Sequence, residues 1–162
     1  MWLVGLYLLA AIAANLSVHR RLDLIAWGCV KIEVKYAKFT DTEMNKGFHF
    51  AISKKQASDG LVADLVMFIC DYGDSETYHI FPVQHPVIQR TIRSRNRAIL
   101  YVPSHMKRHQ HVNSGKAMLT KSMMDYYQDA WHLIELVREN YARQLQGLEF
   151  IELPMPRQLE LI

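Results

Sequence analysis

The sequence predicts an α/β domain, a mixed sheet of four to six strands with helices on both faces. Three stretches lead to it. Residues 22 to 38 read as two short apolar strands joined by a tight turn around Gly28. Leu61 to Cys70 is a nearly unbroken apolar run, which is how a strand buried on both faces reads. Residues 117 to 143 place Leu119, Met123, Tyr126, Ala130, Ile134, Val137 and Tyr141 at steps of three and four, which predicts one long amphipathic packing helix.

Half of the 162 residues are hydrophobic and 22% are charged, an ordinary globular composition. A chain of this length makes one domain that buries roughly two-thirds of its unfolded surface. The expected division is a domain over residues 1–143 and a C-terminal tail over 144–162, which lacks clear periodicity and reads as an arm for a partner subunit. Cys29 and Cys70 form neither a disulfide framework nor a C-x-x-C pair, so a reducing, cytoplasmic compartment is the default.

Taken in order, residues 2 to 16 are the most apolar run and read as a buried helix. No basic region precedes the run, as a secretory signal would require, and 15 residues fall short of the ~20 that cross a bilayer. No membrane attachment is expected: an anchor there would end only seven residues from Asp23. Leu16 to His19 reads as a short first strand. Arg20 and Arg21 then form either a charged turn or a phosphate clamp just before Asp23.

In the hairpin, strand alternation sets Lys31, Glu33 and Lys35 on one face and Ile32 and Val34 on the other. A carboxylate beside a lysine is an odd choice for packing and a sensible one for holding a hard cation next to a phosphate. Whether Asp23 joins them depends on register. A three-residue loop (Trp27, Gly28, Cys29) pairs Ala26 with Val30 and puts Asp23 opposite Glu33. A two-residue loop pairs Asp23 with Val34 and sends it to the other face.

Thr40 to Gly47 reads as a polar loop, and Gly47 to Ser53 as a half-buried strand with Phe48, Phe50 and Ile52 inward; Lys54 and Lys55 follow. Asp64 would be costly if buried alone, so it stands at a strand start, is partnered or is functional, and the strand start is the favoured reading. Asp71 to Glu76 is a turn, and Thr77 to Val83 a strand that Pro82 closes or confines to an edge. His85 to Arg97 reads as a helix entered through Pro86, with Val87, Ile88 and Ile92 buried and Arg90, Arg93 and Arg97 outward. Ala98 to Pro103 is a short strand. His105 to His111 has no second ligand pair at zinc spacing, so Lys107 and Arg108 read as part of a basic loop.

The net charge is only +3, yet Thr77 to Met124 contains no Asp or Glu against eight Lys or Arg and five His. Such a one-sign block is the footprint of a polyanion-facing surface, unless its acidic counterpart lies elsewhere in the fold.

D-L-I-A-W followed by K-I-E-V-K-Y-A-K resembles the core of the PD-(D/E)xK nuclease superfamily, the restriction-endonuclease-like proteins. The ordered markers Phe48 and Phe50, Asp64 and Phe68, Ile80-Phe81-Pro82 and Trp131 extend the resemblance to nearly the whole chain, closest in pattern to small intron-encoded and restriction-type endonucleases. It implies a restriction-endonuclease-like mixed sheet and a metal-dependent DNA endonuclease that hydrolyses phosphodiester bonds to a 5′-phosphate and a 3′-hydroxyl. Asp23 and Glu33 would be metal ligands for Mg²⁺, or Mn²⁺, with the Val34 carbonyl completing the shell and Lys35 positioning or activating the attacking water. The nucleic-acid contacts expected are Arg20, Arg21, Lys54, Lys55, Arg93, Arg97, Lys107 and Arg108, with DNA as partner. One site per domain implies a homodimer or higher homo-oligomer for double-strand cleavage. Residues 5 to 14 also resemble the first helix of that superfamily, but Leu6 stands where its members carry a metal-assisting Glu. That departure favours the alternative, a catalytically weak or inactive nucleic-acid-binding module on the same fold.

Overall fold

The structure, a computed structural model, describes residues 22–42, 46–103 and 117–155. The expected helix over residues 2 to 16, the strand at Leu16 to His19, Arg20, Arg21, and the loop bearing Lys107 and Arg108 lie outside the described residues.

The described part of the chain opens with strands β1 (Leu22–Ala26) and β2 (Val30–Lys38), joined by the three-residue loop Trp27-Gly28-Cys29. Two consecutive left-handed residues, Trp27 at φ 55° and Gly28 at φ 73°, turn the chain there. A short β3 (Thr40–Asp41) pairs antiparallel with the start of β4 (Lys46–Ala51), so the stretch expected as a loop is partly a second hairpin. Helix α1 (Lys54–Asp59), strand β5 (Leu65–Asp71) and strand β6 (Glu76–Pro82) follow. Helix α2 (Pro86–Arg93), strands β7 (Ala98–Tyr101) and β8 (Ala117–Leu119), and helices α3 (Lys121–Tyr127) and α4 (His132–Leu145) complete the described chain.

The described strands form two mixed four-stranded sheets, β1-β2-β5-β6 and β3-β4-β7-β8, where one sheet was expected. β2 runs parallel to β5 and antiparallel to β1, and β6 is antiparallel to β5. All of Leu65 to Cys70 is buried, as the apolar run predicts for a central strand. Asp64 stands just before it and is partnered: its carboxylate accepts from Lys31 N at 2.8 Å and from the Tyr141 hydroxyl at 2.9 Å. Pro82 ends β6, which is an edge strand, so its missing N–H costs no ladder bond to a further neighbour. The two sheets meet through aromatic side chains: Phe50 of β4 lies 4.7 Å from Phe68 of β5, which lies 5.3 Å from Phe81 of β6.

Helix α2 stops four residues earlier than the expected Arg97. Arg95 is left-handed at φ 55°, Asn96 N donates to Thr91 O, and Arg95 N donates to Ile92 O, which is a Schellman ending with arginine where glycine is commoner.

The long helix expected over residues 117 to 143 is not continuous. Residues 117–119 are strand β8, and Gln128 to Trp131 interrupt the rest, with Asp129 at φ 51°. The interruption serves the exposed edge of β6. Gln128 bridges His79, Asp129 N donates to Tyr78 O at 2.9 Å, and the His79 ring meets Met124 O at 2.8 Å. Strand-edge groups that a continuous helix would leave unpaired are thereby satisfied. The inward residues shift accordingly to Met124, Tyr127, Ala130, Leu133, Ile134 and Val137, while Tyr126 is exposed.

The described part of the tail returns along its own chain. The Asn140 side chain exchanges two hydrogen bonds with the Ile151 backbone, and Tyr127 donates to Pro154 O at 3.3 Å. Among the described residues no helix is long and apolar enough to cross a membrane.

Candidate active site

The register that brings the acidic positions together is the one adopted. Ala26 pairs with Val30 and Asp23 with Glu33, so positions 23 and 33 share a sheet face; the Asp23 side chain is outside what is described. On the same face of β2, Glu33 and Lys35 are 5% and 7% exposed, and Lys35 Nζ contacts Glu33 Oε1 at 2.5 Å. Lys31, two residues earlier, is exposed. The sheet interior thus holds one buried ion pair at adjacent same-face positions.

A third residue closes over the pair. Gln56 of α1 donates through Nε2 to Glu33 Oε1 at 2.5 Å and accepts at Oε1 from Lys35 Nζ at 2.9 Å. The start of α1 fixes that side chain. Ser53 is the N-cap, its hydroxyl accepting from Gln56 N at 3.1 Å while Gln56 Oε1 accepts from Ser53 N at 3.2 Å. This reciprocal capping box anchors the glutamine at both its backbone and its amide. Sequence reading missed Gln56. The signal was present as Ser53-x-x-Gln56, which marks a helix start, but nothing local shows that the helix lies over β2.

The backbone beside the pair has a defined direction. Lys31 turns both of its backbone groups towards the β5 side, its carbonyl accepting from Asp64 N at 2.9 Å and its N–H donating to the Asp64 carboxylate at 2.8 Å. Backbone groups alternate sides along a strand, so the Val34 carbonyl faces β1, where Leu22 is its register partner. The groups expected to hold a cation, carboxylates at positions 23 and 33 and the carbonyl at 34, are oxygen donors of the kind that suits a hard divalent cation. Among the described residues no three His, Cys, Asp or Glu side chains are grouped to hold a metal by themselves.

The expected phosphate contacts fall into two groups. Lys54 and Lys55 are exposed at the start of α1, the helix that carries Gln56. Helix α2 packs beside α1, with Arg93 exposed in its last turn. Arg97 is exposed just beyond, its carbonyl accepting from Ile52 N at 2.7 Å immediately before the α1 cap. No described carboxylate forms a salt bridge with any of these four cations. Arg20, Arg21, Lys107 and Arg108 are outside the described residues.

Two buried histidines stand under the β6 edge. In His79, Nδ1 must donate to the Met124 carbonyl, so Nε2 of the neutral ring accepts from the Thr77 hydroxyl, each at 2.8 Å. Burial lowers the pKa of His79 and pushes that of His85 down to about 4. Both rings have packing roles: His85 lies edge-on to Phe81 and Tyr127 and caps α2 by accepting from Val87 N.

No family model matches the chain, and no curated protein does. Among solved structures the chain is similar to MepB, known from a crystal structure, at 12% identity and a TM-score of 0.45; the match covers 75% of this chain and 94% of MepB. A likeness that distant carries no argument about the site.

Proposed function

We propose that this protein is a metal-dependent DNA endonuclease of the PD-(D/E)xK kind, hydrolysing phosphodiester bonds with Mg²⁺ or Mn²⁺. The observation that carries the reading is the buried Glu33–Lys35 pair on β2 with Asp23 in register opposite Glu33. Asp23, Glu33 and the Val34 carbonyl would hold the cation. Bound there, it lowers the pKa of a water and offsets charge on the scissile phosphate.

The chain's own groups do the remainder. Lys35 presents an ammonium beside Glu33, suited to orienting the attacking water and to stabilising charge on the phosphoryl oxygens. Lys54, Lys55, Arg93 and Arg97 give phosphate contacts that position the duplex without reading its sequence. The products are a 5′-phosphate and a 3′-hydroxyl. Cutting both strands takes two copies, and the protein acts in the cytoplasm as a homodimer or higher homo-oligomer.

A nucleic-acid-binding module without cleavage is the second reading. It is favoured by the closed triangle in which Glu33 Oε1 already accepts from both Lys35 and Gln56, as in a purely structural ion pair.

Cleavage of supercoiled plasmid in Mg²⁺, Mn²⁺ or EDTA, with wild type, Asp23→Ala and Lys35→Ala, separates the two. Metal-dependent nicking abolished by both substitutions is the expected result. Nicking that survives Asp23→Ala would reject this site, and salt-sensitive binding without nicking would favour the module.

A further inference from the structure

We infer that Gln56 is a positioning residue of this site: its amide clamps the Glu33 carboxylate and the Lys35 ammonium in one mutual orientation and ties them to the start of α1. What the clamped pair does rests on the nuclease reading; the clamp itself rests on geometry.

The pair needs such a device. Glu33 and Lys35 extend from the same face of one strand, and each side chain has several rotatable bonds, so the 2.5 Å contact alone leaves their common direction unset. A primary amide presents a donor and an acceptor on one rigid plane. Gln56 uses both at once, with Nε2 on Glu33 Oε1 at 2.5 Å and Oε1 on Lys35 Nζ at 2.9 Å. The three heavy-atom contacts close a triangle whose plane is set from outside, because Oε1 also accepts from Ser53 N at 3.2 Å. Neither a carboxylate nor an aliphatic chain of the same length can reproduce it. Glutamate at this position would present an acceptor to Glu33, and methionine would offer neither partner a hydrogen bond.

The clamp also links two parts of the surface. Lys54 and Lys55 precede Gln56 in the first turn of α1 and are exposed, while the glutamine points inward to β2. The exposed lysines and the inward glutamine therefore belong to one helical turn.

The test compares Gln56→Met, Gln56→Glu and Thr120→Ala by plasmid nicking and by urea unfolding without DNA. Gln56→Met and Gln56→Glu should lower kcat about 10- to 100-fold, the loss usual when a group that orients a metal ligand is removed. KM for DNA should stay within about threefold, since Gln56 does not face the phosphate contacts. Thr120→Ala removes the cap of α3, where the Thr120 hydroxyl accepts from Met123 N at 3.2 Å, in a helix that does not carry the clamp, and should lower stability with kcat close to wild type.

A double-mutant cycle between Gln56→Met and Glu33→Gln, read as unfolding equilibrium constants, should be non-additive by at least about threefold. Additive constants would overturn the clamp whether or not the protein cuts DNA. So would a Thr120→Ala variant that loses as much kcat as Gln56→Met. A non-additive cycle in a protein that cuts nothing would keep the clamp and overturn the nuclease reading.

Discussion

Glu33 and Lys35 are charged side chains at 5% and 7% exposure, and taking both out of water costs free energy that only close pairing offsets. Each is therefore hostage to the other. Lys35→Met leaves a buried carboxylate that keeps the Gln56 amide but has lost its ammonium, and should lower stability by about 3 kcal/mol at neutral pH. The double variant Glu33→Gln/Lys35→Met, with no charge left to bury, should recover most of that loss. Urea unfolding of the three proteins checks both statements; a single variant as stable as wild type would mean that water reaches the pair. Strand alternation made the adjacency of Glu33 and Lys35 legible in the sequence, because it depends only on two residues in one strand. Gln56 was not legible, because its place over the pair depends on a contact 21 to 23 residues away that no local pattern encodes. Asp64 lies between these cases: the cost of burying a lone carboxylate predicted that it would stand at a strand start, and its partners Lys31 N and Tyr141 came only with the fold.

Helices show the same division between local signals and contacts that arise only on folding. Pro86 marked the entry to α2 correctly, since proline at the first helical position loses no hydrogen bond. The exit at Arg93 was not marked, because the left-handed residue there is Arg95 and not glycine. For α3 and α4 the three-and-four spacing runs straight through the break, since residues on both sides face one core. The demand that interrupts the helix comes from the edge of β6, far away in sequence. The N-cap of α2 leads to a pH dependence. Burial holds His85 neutral, lowering its pKa from the ordinary 6.5 to about 4. The unfolded chain therefore binds the proton first as pH falls. His85 costs nothing above about pH 6.5, and stability declines from there down to about pH 4, by up to roughly 3 kcal/mol in all. His79, shifted down by the same cause, adds in the same direction. Urea midpoints at pH 7, 5.5 and 4.5 should fall less steeply for His85→Asn, which keeps a capping side chain but cannot titrate. Equal slopes for the two proteins would show that the ring is hydrated enough to protonate in place.

Over the whole molecule, the mixed α/β architecture follows from how buried each strand is. β5 is covered along its length and takes a parallel neighbour on one side, whereas β6, at the edge, is finished by the interrupted helix pair. The second sheet was hidden because β3 and β8 are two and three residues long, too short to leave a periodic signal. Charge was legible only as a linear block from Thr77 to Met124. The folded surface redraws it: Lys54 and Lys55, outside the block, share a neighbourhood with Arg93 and Arg97 within it, because α1 packs beside α2 and Arg97 is bonded to Ile52. Four exposed cations without a described carboxylate partner should act additively on a polyanion. Each phosphate neutralised adds about 0.9 to the slope of log affinity against log salt for duplex DNA. Replacing all four with alanine should flatten the slope by about 3 to 4 and weaken binding at low salt far more than at high salt. Fluorescence anisotropy on a labelled duplex over a range of KCl, in EDTA so that no strand is cut, measures this directly. A uniform loss with an unchanged slope would mean that the four residues support the fold and that the phosphate contacts lie on another face of the molecule.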